Sequence, residues 1–348
     1  MRSLEKLVRP SILSFDAYRS GRELYDQNKA TILLDANESP YNRPLNRYPD
    51  PLQRKVKSLL GPMKRVKENQ IFLSNGSDEA IDVIYRCFCT PGKDNVIAIE
   101  PSYPRYKAAA LINEVEYRPV MLDEDFNLKS SNIMDETDMQ TKVVWICSPN
   151  NPSGNCIERS EIEKILTQFQ GIVVIDEAYS DFSSVPPFRL ELEKYPNLIV
   201  LNTFSIAWGC ASVNMGIAYA SPQIIEIMNK VKFPYNVNEV TQREIINILH
   251  RTNDVAKNVK AILEEKNLVM EAVSLLRCCV KVFPSDANFF LVRFKDSNAV
   301  FEYLKERGIM VRNRHGLPLC DNCLRITIGT KAENAALISA LRQFDSLY

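Results

Sequence analysis

Between residues 95 and 204 the chain alternates short apolar runs with helix-patterned stretches, and this alternation restricts the fold more than any other feature. Asn95–Ile99, Val143–Cys147, Ile172–Ile175 and Leu198–Phe204 read as strands. Helix candidates lie between them, such as Ser160–Phe169, where Ser160 followed by Glu163 has the form of a capping box. The order predicts an α/β fold with a mostly parallel sheet covered by helices. With 348 residues, 45% of them hydrophobic, the chain suits one large and one small domain. Residues 46–240 are expected to form the large sheet domain. Beyond 241 a long helical stretch leads to the strands Asn288–Val292 and Leu324–Ile328, read as a smaller α+β domain with which the N-terminal arm, 1–45, is expected to pack.

Charge and cysteine usage narrow the function classes. The 43 basic residues balance 43 acidic ones with no basic block, which disfavours nucleic acid as a partner. The opening MRSLEKLVRPSILSF has no apolar core of signal-peptide length, and no segment approaches the roughly 18 apolar residues of a membrane span, so a cytoplasmic protein is expected. Nine cysteines then read as reduced thiols. Cys320 and Cys323 form a lone CxxC, and with His250 and His315 as the only histidines a four-ligand metal site is not expected. No GxGxxG follows a strand and opens a helix, which disfavours a Rossmann dehydrogenase.

In parallel sheets ligands bind beyond the carboxyl ends of the strands. The four runs lead there to Tyr103, to SPNNPSGN with Asn151, to Asp176 and Tyr179, and to Ser205. A further turn, Asn75-Gly76-Ser77-Asp78, opens a helix read as Glu79–Cys87, whose free N–H groups and dipole suit an anion.

SPNNPSGN, IDEAYSDF, NTFSxAWG and LRITIGT, in that order, resemble the fold-type-I pyridoxal-phosphate (PLP) aminotransferases, and LDANESPYN with NRYPDP points to their histidinol-phosphate branch. The resemblance spans nearly the whole chain. It implies histidine biosynthesis, with an amino group exchanged between histidinol phosphate and 2-oxoglutarate to give imidazole-acetol phosphate and glutamate. An aromatic amino acid aminotransferase shares most of these motifs. By this resemblance Asp176 pairs with the pyridine nitrogen, Tyr179 and Asn151 bond the phenolic oxygen, and Tyr103 stacks on the ring. Gly76, Ser77, Asp78 and Ser205 surround the phosphate, joined by Tyr48 from a neighbouring subunit of a homodimer. Arg312 and Arg325 resemble the pair that grips the substrate's anionic end, and Tyr18 and Asn37 complete its pocket.

The chain departs from the family at two positions. After the serine of NTFS the family has the lysine that attaches PLP and shuttles the proton; this chain has Ile206, which can be neither nucleophile nor base. Eight residues on, the family's phosphate-binding arginine is Asn214. Lys232 matches a family position of its own, and Lys107 and Arg105 read as exposed helix charges. The resemblance therefore implies PLP held noncovalently and weakly, with no intact catalytic residue at the attachment point and transamination lost. Two readings follow: a residual enzyme acting on a small-molecule amine, or a non-catalytic subunit that binds PLP or a PLP adduct.

Overall fold

A computed structural model describes residues 3–17, 21–24 and 32–347. Seven strands, β1 (Ile71–Asn75), β2 (Asn95–Glu100), β3 (Glu116–Met121), β4 (Thr141–Cys147), β5 (Ile172–Asp176), β6 (Leu198–Thr203) and β7 (Met215–Ala220), make one sheet in the order β1-β7-β6-β5-β4-β2-β3. All neighbours are parallel except those of β7, which runs antiparallel to β1 and β6. β7 therefore enters the sheet at the edge where the other strands end.

The apolar runs are continuous because both faces are buried. Along β4, Val143, Trp145 and Cys147 face one core and Val144 and Ile146 the other. Trp145, fully buried, stacks between Tyr85 and Tyr106 at centroid distances of 5.4 and 5.0 Å. Each such ring contributes roughly 1.5–3 kcal/mol through burial alone. A second sheet contains β8 (Cys279–Val282), β9 (Phe289–Phe294), β10 (Arg312–Asn313) and β11 (Cys323–Thr327), in the order β10-β11-β9-β8. Its apolar side chains, among them Phe290, Val292, Leu324 and Ile326, share a core with Val269 and Val273 of helix Thr252–Ser274 and Leu337 and Leu341 of helix Lys331–Asp345.

Three local expectations change. The helix placed at Glu79–Cys87 runs Gly76–Phe88. The capping box at Ser160 does not form: helix Arg159–Gln168 starts one residue earlier, and Glu163 accepts from Arg159 Nε at 3.0 Å. The early part of the N-terminal arm packs on the large sheet instead of the small one. Leu7 and Val8 are buried with Phe72 and Ala80, and Arg9 N–H donates to Cys87 O at 2.9 Å. Among the described residues no helix is long and apolar enough to cross a membrane, and no cluster of side chains could hold a metal ion.

Candidate active site

Strand direction gathers the site. β1, β4, β5 and β6 end at one edge and β7 begins there, so the residues after the first four and before the last surround a common cavity of about 230 Å³. Gly76, Ser77 and Asp78 open the helix after β1 and form one wall. Gly76 has φ +75°, and a Cβ there would lie 2.7 Å from Asn214 Oδ1, so only glycine fits without displacing that side chain. Opposite, Thr203 ends β6 and Ser205 and Ile206 follow it, while Asn214, at φ 52°, precedes β7.

The deep end is formed by Asp176, Asn151, Tyr179 and Cys147. Asp176 is buried: its Oδ2 accepts from Tyr106 Oη at 2.7 Å and its Oδ1 from Ala178 N–H at 3.1 Å. Burial pushes this carboxyl up, against the pull of the two hydrogen bonds. No cation pairs with it among the described residues. Tyr103 lines the entrance, donating through Oη to Asp78 Oδ1 at 3.0 Å, and Arg105 Nε lies 3.5 Å from Asp78 Oδ2. Asn151 links two regions. Its Nδ2 donates to Tyr179 Oη at 3.5 Å, while its Oδ1 accepts from Arg325 Nη1 at 2.6 Å, which ties the cavity to the small sheet.

The candidates from Gly76 to Asn214 thus line one cavity, whereas Tyr48, Asn37 and Arg312 do not join them there. Tyr48, half exposed, stacks on Tyr235 at 4.5 Å and with Asn37 lines a separate depression of about 460 Å³. Tyr18 lies outside the described residues. Arg312 is exposed on β10, directly opposite Arg325. Neither Lys232 nor Lys107 lines the cavity: Lys232 Nζ donates to Pro51 O at 2.8 Å, and Lys107 Nζ lies 5.8 Å from the Tyr117 ring. Among the described residues no lysine lines the cavity.

Tyr106, Thr203, Cys147 and Arg314 went unread in the sequence. Tyr106 and Cys147 sit within apolar surroundings that look like core, and only the three-residue step from Tyr103, one helical turn, hinted at Tyr106.

The sequence profile of the family described as aminotransferase class I and II matches residues 20–341. The chain is 50% identical over 344 residues to a histidinol-phosphate aminotransferase of Bacteroides thetaiotaomicron, covering 99% of each, and 48% identical to one of Parabacteroides distasonis, covering 98% and 99%. In structure it is similar to the histidinol-phosphate aminotransferase of Clostridium acetobutylicum, with a TM-score of 0.81 at 23% identity over 87% of this chain and 92% of that one. It is also similar to the enzyme of Sinorhizobium meliloti in complex with pyridoxal-5'-phosphate, with a TM-score of 0.77 at 21% identity over 87% and 84%. At these identities the two structures establish the fold.

Proposed function

This chain belongs to the histidinol-phosphate aminotransferase family of class I and II aminotransferases, and from that premise we propose that it binds PLP noncovalently as a transamination-deficient member. The observation that carries the proposal is Ile206, which lines the cavity where no lysine among the described residues does.

The cavity suits the cofactor's recognition but not its attachment. A cradle that a Cβ would fill, at the start of a 13-residue helix, suits a phosphate through its free N–H groups and dipole. Ser77 and Ser205 would add hydroxyls, and Asn214 an amide without charge. The buried Asp176 carboxylate, with no cation beside it, suits a protonated pyridine nitrogen, whose charge would bring its pKa back down. Asn151 and Tyr179 would face the ring's phenolic oxygen, and Tyr103 its flat face. Bound there, PLP supplies an electrophilic aldehyde and an electron-withdrawing ring. Tyr106 holds Asp176 in place. Arg325, and Arg312 across from it, would receive the anionic end of the amine. Ile206 can neither attach to the aldehyde nor carry a proton, and positioned acid–base catalysis is worth roughly 10²–10⁴-fold.

The names of the relatives at 48–50% identity support histidinol phosphate as the amine. We place the protein in the cytoplasm as a homodimer, with Tyr48 and Asn37 serving the partner's cavity and residues 46–240 forming the cofactor domain. A PLP titration followed by dialysis tests the reading. PLP should bind, shift in absorbance and leave on dialysis, and borohydride should fix none to the denatured chain; retention of a reduced PLP–lysine adduct would overturn it.

A further inference from the structure

The ribbon carrying Arg312 and Arg325 holds a third arginine that the pair alone does not explain. Arg312 stands opposite Arg325 in the antiparallel register, and pairing continues past Asn313, because Arg314 N–H donates to Cys323 O at 2.9 Å. Strand alternation puts Arg314 on the same face as Arg312, a diagonal neighbour of Arg325.

Like charges facing each other across a strand pair repel. Yet no carboxylate forms an ion pair with any of the three among the described residues. The charged neighbours of Arg314 are Arg325 and Arg312, with the neutral Cys320 thiol and Tyr179 phenol beside them, and the neighbours of Arg325 are Tyr179 and Arg312. Burial and the neighbouring arginines hold Arg314 down to about 10, so it remains charged near neutrality. The Nε atoms of both Arg314 and Arg325 are buried without a partner. Phe289 backs the group, with the Arg325 guanidinium 5.1 Å from its ring and Tyr179 edge-on at 5.0 Å. The Arg325–Asn151 bond sets Arg325 against the wall of the cavity, and Arg314 acts on Tyr179 of that same wall.

A carboxylate brings one charge and two oxygens. A phosphomonoester brings about −1.5 to −2 and three acceptor oxygens. We propose that Arg314 is a specificity-determining residue that, with Arg312 and Arg325, makes this end of the site select a phosphomonoester over a carboxylate. The inference rests on the assignment of Arg312 and Arg325 to the substrate's anionic end.

The test is calorimetric titration of the full chain with histidinol phosphate, histidinol and 2-oxoglutarate. Each is run with saturating pyridoxamine phosphate, which has no aldehyde to react with the two amines, and again without it, the cofactor-free series being the one compared for 2-oxoglutarate because its ketone condenses with the cofactor's amine. Arg314→Gln should weaken histidinol phosphate by about 10- to 100-fold, as loss of a charge-assisted bond predicts. It should change histidinol and 2-oxoglutarate far less, and Arg314→Lys should recover part of the loss. Equal loss for both anions, or no loss for histidinol phosphate while Arg325→Gln abolishes its binding, would overturn the proposal. Arg314→Met keeps the aliphatic stem if the glutamine variant does not fold. Should the parent fail to bind pyridoxamine phosphate, the cofactor reading falls, while selection of the phosphate by the cofactor-free chain would still stand or fall with Arg314.

Discussion

Ile206 places a branched hydrocarbon in a cavity lined, apart from Gly76 and Ala178, by hydroxyl, amide, carboxylate, thiol and phenol groups. Its neighbours on either side keep their setting: Ser205 N–H donates to Thr203 Oγ1 at 3.1 Å, and Ala207 is buried. Ile206→Lys should therefore fold, and its amine, desolvated beside an electrophile, should attach PLP. Borohydride followed by peptide mapping should find the cofactor on residue 206, with amino transfer from histidinol phosphate rising above background. Absence of the adduct would mean that the backbone here does not present residue 206 to the cofactor. Asn214→Arg is less simple. Asn214 sits at φ 52°, where asparagine is tolerated better than most side chains, so arginine there costs about 1 kcal/mol of folding stability, while a charged contact to phosphate adds roughly 1.5–3 kcal/mol to binding. Net tightening of PLP by about tenfold is expected in an equilibrium titration, and because both changes act on one bound molecule their effects on turnover need not add.

β5 ends on Asp176, and Glu177 directly after it has a different task. Asp176 faces the cavity, whereas Glu177 turns into the interior, where Oε1 accepts from Phe188 N–H at 2.6 Å and Oε2 has no partner. Burial pushes the Glu177 carboxyl up to about 7, with Asp181 adding to the rise and the Phe188 amide, Arg189 and Arg159 opposing it. In the unfolded chain it titrates near 4.5. The folded state therefore holds a proton that the unfolded state releases, and the stability this confers is complete below pH 4.5 and lost as pH rises to about 7. Glu177→Gln should flatten the fall in melting temperature across that window, by an amount on the order of 3 kcal/mol or less. An unchanged slope in a pH series of thermal melts would remove Glu177 as its source. The same element shows what a sequence discloses. β2, β4, β5 and β6 were legible because both their faces are buried, which leaves an uninterrupted apolar run. β3, EYRPVM, was not: it is an edge strand with charges and Pro119, residues an edge tolerates. Ser160 and Glu163 matched a cap by spacing, but Arg159 captured the glutamate. The same spacing at Thr330 and Glu333 does form a capping box.

At the scale of the molecule, the cavity took its candidates from β1, β4, β5 and β6 because parallel strands deliver their ends to one edge, a consequence of topology that motif order already carried. Tyr48 and Asn37 could not be placed that way, since nothing in one chain's order says which copy a residue serves. The structure sets both in a depression bordered by large exposed apolar side chains, with Leu45 60% and Val240 46% exposed and Leu34 nearby in sequence at 90%. Exposed apolar groups, where they form a contiguous patch, suit an interface. If that face joins two copies, Tyr48 reaches the partner's cavity, and the expectation can be separated from a role within its own chain. Light scattering should first give twice the mass of 39.7 kDa. Tyr48→Ala and Asp176→Ala should each weaken PLP in the homodimer. Co-expressed with different tags and purified through both, the mixed dimer should hold one cavity with both changes and one with neither, so half of its sites should bind PLP with parental affinity. If Tyr48 served its own chain, each cavity of the mixed dimer would carry one defect and no tight site would appear; a monomer by light scattering would end the argument earlier.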